Sequence, residues 1–570
     1  MLNKYQFLTI ESPRQLIKLA LLGFWTGLLA SGLVIVFRWL VETIQASFLP
    51  AGLSENYEAL PVWALVALPV GGALLLGLLF QSLPPALRGV GVVHTFERLA
   101  YYGGRLPWIN VVIQFIGAAV AIISGHSVGR EGPAVHMGAG VGSKLSESWH
   151  LSNEQTRTLI AAGVAAAIAA SFNTPIAGVV FSLEVIMLQY SIASMVPVLA
   201  ASAIATIVSR AFFGNEALLH TVTSTQMDSA EMLWVAVSGA LIGFLAAGFV
   251  KTLLFFTRLR RDIPVWIRMT LGGCIVAACA LVVPQVMGLG YDTVEASLNQ
   301  NMLISLMLLI VGFKLLATAG CLGMGIPGGL IGPTLVMGAC MGSALGGIGA
   351  LIWSDLADTQ MLFAMIGMGA MMGATLRAPL AALLAVFELT YDPSLLLPAM
   401  LAIVLASVVS GHILRQRSVF RLLLQARNMD YQDGEIAARL RTVPVVQVMN
   451  KYVIDLNFDV SRDSLTLAMA SHPTWVLVHQ EGAAPVLLPA VDVLRALLVD
   501  NGDQFDLMSI PARQLDVVYI DEKNTLQQAL QNMQFGQVEA ACVCAHENGQ
   551  QQIIGVVTME DVYAFRVQAV

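Results

Sequence analysis

Between residues 19 and 413 the chain is a succession of apolar runs, and their lengths constrain it more than any single motif. The first, residues 19–48, exceeds the roughly 20 residues a helix needs to cross a bilayer, which predicts a tilted spanning helix. Runs follow at 62–83, 108–124, 133–149, 157–171, 175–189, 193–213, 233–257, 269–290, 302–319, 332–353, 361–374, 379–390 and 396–413. Several are shorter than a full span and are broken by Gly or Pro. Inside a membrane every backbone polar group must find a partner within the protein, so such runs predict discontinuous, partly re-entrant helices. Charged residues make up only 12% of the chain, against about 25% in a soluble domain. The fold class is an all-α polytopic membrane protein.

Charge then divides the chain. Residues 1–429 carry a net +3 and residues 430–570 a net −10, which implies a membrane body and an acidic soluble tail. Lys4, Arg14 and Lys18, the cluster Arg258, Arg260, Arg261 and Arg268, and the cluster Arg415, Arg417 and Arg421 are expected on the cytoplasmic side. The loops 45–62 and 214–233 hold no Lys or Arg and are expected outside, so both termini are cytoplasmic. Met1–Arg14 lacks a signal-peptide pattern. The six cysteines (Cys274, Cys279, Cys321, Cys340, Cys542, Cys544) have no metal-ligand spacing and read as small buried hydrophobes.

Within the membrane part the stretch Gly129-Arg130-Glu131-Gly132-Pro133 stands out. Its glycines let the backbone unwind, and Pro133 suits the first turn of the helix that follows. That helix would offer free N–H groups and the positive end of its dipole to an anion. An acid at such a place, Glu131, is costly and therefore a functional candidate. The stretch is also repeated: Gly132–Ser143 matches Gly332–Ser343 at 7 of 12 positions, and Pro175 and Pro379 are each followed nine residues later by an acid, Glu184 and Glu388. Topology makes the two halves inverted repeats, which place a shared site at their midplane.

From Asp430 the texture becomes soluble α/β, with strand-like runs at Trp475–Val478, Val517–Ile520 and Ile553–Val557. It too is duplicated, Asp463–Met469 resembling Asn524–Leu530 and Leu488–Leu494 resembling Val557–Tyr563.

Gly129–Pro133, Ser171–Gly178, Gly328–Pro333 and Leu376–Pro379 together resemble the CLC family of chloride channels and chloride/proton exchangers, over residues 14–430. The tail resembles a pair of CBS domains, with Gly555–Asp561 as the closing motif. The resemblance implies these divisions: a cytoplasmic N-terminus (1–13), a first membrane repeat (14–213), an external linker (214–232), a second repeat (233–427), a linker (428–443), a degenerate CBS domain (444–505) and a second CBS domain (506–570). It implies a homodimer in the lipid bilayer with an anion pathway in each subunit; the compact loops and short N-terminus suggest a bacterial inner membrane, and no nucleic-acid partner is expected. Chloride or a related anion, as substrate, would be held mostly by backbone at Gly89, Val90, Gly91, Arg130, Glu131, Gly132, Leu330 and Ile331, with Glu131 as gate and Phe420 as inner constriction. Backbone donors hold an anion without a full charge that would trap it. No cofactor is implied beyond an adenine nucleotide at Thr558 and Asp561 of the CBS pair.

Departures from the family pattern are informative. Val90 stands where a serine hydroxyl is usual, Ile331 where phenylalanine is usual, and Phe420 where a tyrosine is usual. Val185 stands at the exchangers' inner glutamate, just after Glu184, as is typical of the family's channels. The resulting expectation is passive, channel-like chloride conduction gated by Glu131. A proton-coupled antiporter is the alternative, and an anion-sensing regulatory membrane protein is a third. Glu184 and Glu388 read as helix-packing acids, His136 as hydrogen-bonded within the bundle, and Arg130 as an anchor of its loop. Lys314 would pair with an acid or raise the local positive potential. No catalytic set or phosphate-binding glycine loop is present, so an enzyme is not expected.

Overall fold

The computed structural model describes residues 13–188, 192–214, 229–259, 263–299, 302–352, 360–427, 429, 440, 443–479, 485–500, 502–547 and 550–568. They form two compact units that divide near residue 431.

The first unit is helical. It opens with α1 (Pro13–Phe48), α2 (Val62–Ser82), α3 (Gly91–Tyr101), α4 (Trp108–Ile123), α5 (Glu131–Ser148), α6 (Asn153–Phe172), α7 (Pro175–Phe181) and α8 (Ile192–Phe213). It continues with α9 (Ser229–Arg258), α10 (Val265–Ala280), α11 (Tyr291–Leu298), α12 (Ile304–Gly323), α13 (Ile331–Ile352), α14 (Gln360–Leu376), α15 (Pro379–Thr390), α16 (Leu396–Val408) and α17 (Val419–Ala426). Among the described residues, eight helices are long and apolar enough to cross a membrane. On α1 the stripe Leu22, Ala30, Val34, Phe37 and Val41 is buried, whereas Leu21, Trp25, Leu29, Val36 and Trp39 face outward. An outward face this apolar belongs in lipid.

Two boundaries differ from the predicted runs. The run 269–290 is helical only to Ala280. Pro284, which has no N–H to donate, instead opens a single 3-10 turn, and Gly288 and Gly290 then take positive φ. α9 begins at Ser229, inside the predicted linker. Residues 215–228 and most of the predicted linker 428–443 lie outside the described residues.

The inverted repeat is visible as reciprocal contacts between equivalent residues. Gly129 and Gly329 exchange two backbone hydrogen bonds, N–H to carbonyl in both directions, each 2.7 Å. A residue can pair with its own equivalent in this way only on a local two-fold axis. The same operation relates the two helix-packing acids. Glu388 accepts from the amides of Ile176 and Ala177, both at 2.8 Å, and Glu184 accepts from Leu380 at 3.3 Å and Ala381 at 2.8 Å. Each acid thus satisfies the orphan donors at the start of the other repeat's helix, where a negative charge is favoured. Glycines keep the layers close. A Cβ at Gly138 would meet the Gly163 carbonyl, and one at Gly338 the Gly367 carbonyl, the small-residue packing that lets membrane helices approach.

The second unit is α/β. Its elements are β1 (Val453–Asn457), β2 (Asp459–Ser461), α18 (Arg462–Met469), β3 (Trp475–His479), β4 (Val486–Pro489), α19 (Ala490–Val499), β5 (Gln504–Asp506), β6 (Leu515–Asp521), α20 (Leu526–Gly536), β7 (Ala540–Glu547), β8 (Gln550–Thr558) and α21 (Met559–Gln568). Six strands form one sheet in the order β1-β3-β4-β6-β7-β8. β1 pairs parallel with β3 and β3 antiparallel with β4; β6, β7 and β8 repeat that pattern. The duplication predicted from Asp463–Met469 and Asn524–Leu530 is equally local: Ser461 caps α18 and Thr525 caps α20. Cys542 and Cys544 are buried in β7, and burial pushes the Cys542 thiol up to about 12, which leaves it an inert packing group. Of the other cysteines, Cys279, Cys321 and Cys340 are buried, whereas Cys274 is exposed, contrary to expectation.

Candidate functional site

Three helix starts converge. α5 begins at Glu131, α13 at Ile331, and α3 at Gly91 after an extended Val90. A cavity of about 580 Å³ is bordered by Gly89, Val90, Gly91, Gly132, Leu330, Ile331 and Phe420. Seven of the nine residues predicted from sequence for anion binding or inner constriction therefore border one space. Arg130 and Glu131 complete the set differently.

The Glu131 carboxyl is fully buried and sits among glycines of both repeats. A Cβ at Gly129 would collide with its Oε2, one at Gly329 would stand 2.8 Å from Oε2, and one at Gly332 would stand 2.9 Å from Oε1. The acid thus fills the gap between the two helix starts, on the two-fold axis marked by Gly129 and Gly329. The Arg130 guanidinium points elsewhere. Its Nη2 donates to the Ser171 carbonyl at 2.9 Å, its Nη1 lies 3.4 Å from Glu42, and it stacks over the rings of Tyr291 and Phe172. It anchors the loop, as predicted.

Sequence reasoning missed Tyr291. Its hydroxyl donates to Glu131 Oε1 at 3.1 Å. The loop that delivers it is held from two sides. Lys314 Nζ donates to the carbonyls of Val286 and Gly288, both at 3.1 Å, and Glu55 accepts from the amides of Gly290 and Tyr291 at 3.2 and 3.0 Å. The hydrogen-bond partners of Lys314 are therefore carbonyls, and its work is to position Tyr291. A Gly-Leu-Gly turn ahead of an aromatic was the only sequence signal.

His136 is indeed bonded within the bundle, to His94 at 2.8 Å, and Arg98 Nε donates to His94 Nε2 at 3.0 Å. Because a guanidinium can only donate, His94 Nε2 accepts, its Nδ1–H donates to His136 Nε2, and His136 carries its proton on Nδ1. Both imidazoles are thereby fixed as neutral tautomers.

Val185 lies in the π-helical turn Ser182–Met187 that extends α7. It borders a second cavity, of about 350 Å³, with Glu184, Phe96, Arg377, Arg415, Arg417 and Arg421. The Phe96 ring lies 6.0 Å from that of Phe420, which borders the first cavity. In the tail, Thr558 donates to Asp561 Oδ2 from both its N–H, at 2.9 Å, and its hydroxyl, at 2.7 Å. The pair caps α21.

An apolar helical body with an inverted repeat, and helix starts gathered around one internal space, defines the class: a polytopic membrane transport protein. Residues 72–411 match the family described as voltage gated chloride channel. A ClcB-like chloride channel protein of Ralstonia nicotianae is 34% identical over 388 residues, covering 66% of this chain and 89% of that protein. The H(+)/Cl(-) exchange transporter ClcA of Vibrio campbellii is 30% identical over 420 residues, covering 71% and 88%. A solved eukaryotic CLC transporter shares the fold over 96% of this chain and 99% of its own, with TM-score 0.61 and 19% identity. The chain belongs to the CLC family of chloride transport proteins.

Proposed function

We propose that the chain is a proton-coupled chloride antiporter, acting as a homodimer with an anion pathway in each subunit, in a bacterial inner membrane with both termini cytoplasmic. The observation that carries this reading is the seat of Glu131: a titratable carboxyl occupies the gap between two helix starts, where an anion would be stabilised. Ionised, it is itself the anion, and it closes the pathway. Protonated, it no longer competes for the helix-end donors, chloride takes its place, and the acid swings out carrying a proton. One seat then serves chloride and the proton carrier in alternation, which couples them. The exchange-transporter relative supports coupling over the passive conduction expected from sequence.

Passive conduction gated by Glu131 is the second reading, and Val185 favours it, because valine cannot carry a proton past the second cavity. Phe420 narrows the inner end in either case. We read the tail as a CBS pair, residues 444–505 and 506–570, with Thr558 and Asp561 as candidate contacts to an adenine nucleotide. A flat calorimetric titration with ATP, ADP and AMP would end that part of the proposal.

The deciding experiment uses purified protein in liposomes with a chloride gradient, recording chloride efflux and external pH together. Uphill proton movement driven by chloride supports the antiporter. Chloride efflux without it establishes the channel reading, and no chloride efflux overturns both.

A further inference from the structure

We propose that Gln114 is a side-chain ligand for the transported anion, supplying the donor that Val90 removed. This rests on reading the first cavity as the anion pathway. Gln114 lies on α4, is fully buried, and borders that cavity. Among the described residues, neither its Nε2 nor its Oε1 has a hydrogen-bond partner. Buried amides are almost always paired, and one with both ends unpaired marks a missing ligand or a water.

Its surroundings favour the ligand. One helical turn earlier on the same face, Asn110 Nδ2 donates to the carbonyls of Leu87 and Gly89 at 3.2 and 2.9 Å. Those bonds commit the two carbonyls to α4. Gln114 comes next along α4, beside Gly91, where its Oε1 would lie 3.9 Å from an added Cβ. A half-turn of the amide exchanges its oxygen for its NH₂. The Gly89–Gly91 strip and Gln114 border the same cavity, so an NH₂ turned this way is a side-chain donor beside that strip. The equivalent position in the second repeat, set by the Gly129–Gly329 axis, is Lys314, a donor committed to Val286 and Gly288. In the first repeat the equivalent donor is uncommitted and neutral, so it can bind an anion without holding it.

The test measures chloride and nitrate binding to the detergent-solubilised full chain by calorimetry, for wild type, Gln114→Leu and Gln114→Glu, each also with Glu131→Gln so that the tethered carboxylate does not compete. Gln114→Leu is expected to weaken chloride binding about 10-fold, the effect of about 1.4 kcal/mol, and to change the chloride-to-nitrate ratio. Gln114→Glu, which keeps the shape but adds a negative charge, is expected to abolish binding while eluting as wild type on size exclusion. Unchanged affinity and ratio in Gln114→Leu would overturn the proposal, even if its thermal stability changed. Absence of chloride binding in both the wild type and the single Glu131→Gln variant would overturn the pathway reading itself.

Discussion

The crossed carboxylates Glu184 and Glu388 allow a stability prediction from geometry. Each takes two backbone donors at the start of a helix in the opposite repeat. A hydrogen bond to a charged group contributes about 1.5–3 kcal/mol, and an orphaned buried donor keeps its desolvation penalty. Glu388, buried and with both bonds at 2.8 Å, should therefore lose about 3–6 kcal/mol on Glu388→Ala. Glu184 is less buried and has one bond stretched to 3.3 Å, so Glu184→Ala should lose about 2–4 kcal/mol. Gln at either place keeps one carbonyl acceptor but turns an NH₂ toward the second donor, and should cost about half as much. The assay is thermal unfolding in detergent, with chloride and proton flux measured on the same variants. Glu184→Gln should lower the midpoint and leave the proton-to-chloride ratio untouched. If Glu184→Gln changed that ratio with no loss of stability, the acid would be a proton carrier and the capping argument would fail. Equal stability of Glu388→Ala and wild type would refute the magnitude reasoning directly.

Other consequences are simpler to state. Glu131→Gln should uncouple the protein: chloride flux persists, becomes insensitive to pH, and drives no protons in the liposome assay. Tyr291→Phe removes a side-chain donor to the seated Glu131 carboxylate, so the closed form should lose about 1.5–3 kcal/mol, read as a rise in chloride flux of roughly ten-fold or more at high pH, where that form prevails. Thr558→Ala removes the cap of α21 and should lower tail stability by about 1 kcal/mol, measured as an earlier unfolding transition.

How much of this was legible in the sequence depended on whether the signal was local. The Gly129–Pro133 stretch, the glycine-led helix starts and the paired Pro-to-Glu spacings are local, and the structure gathers Gly89–Gly91, Gly132, Leu330 and Ile331 around one cavity. Tyr291 was not legible, because its role arises from a long-range hydrogen bond to Glu131, 160 residues away, and from a loop held by Lys314 and Glu55. Gln114 was hidden for a related reason. In sequence it is one polar residue in an apolar run, and only the structure shows that both ends of its amide are unpaired. The end of α10 at Ala280 rather than near 290 follows from Pro284, a breaker inside a run whose hydropathy continues.

The repeats keep their symmetry where it serves the backbone and lose it where charge would meet itself. Off the axis, Glu184 and Glu388 each serve a different helix and can both be ionised. On the axis the equivalents of Glu131 and His136 are Ile331 and Val336. A second glutamate at 331 would aim its carboxyl at the same gap, and two carboxylates sharing one site cannot both ionise at neutral pH. One would stay protonated and the pair would titrate together, so a single proton would no longer switch the seat between carboxylate and anion. Ile331 contributes no charge, so under the proposed mechanism the seat holds one anion at a time: the Glu131 carboxylate or the ion that displaces it. Restoring the symmetry with Ile331→Glu should therefore abolish chloride transport while leaving the Gly129–Gly329 contact and the fold intact. Chloride flux at the wild-type rate in that variant would mean that the anion does not pass between these two helix starts.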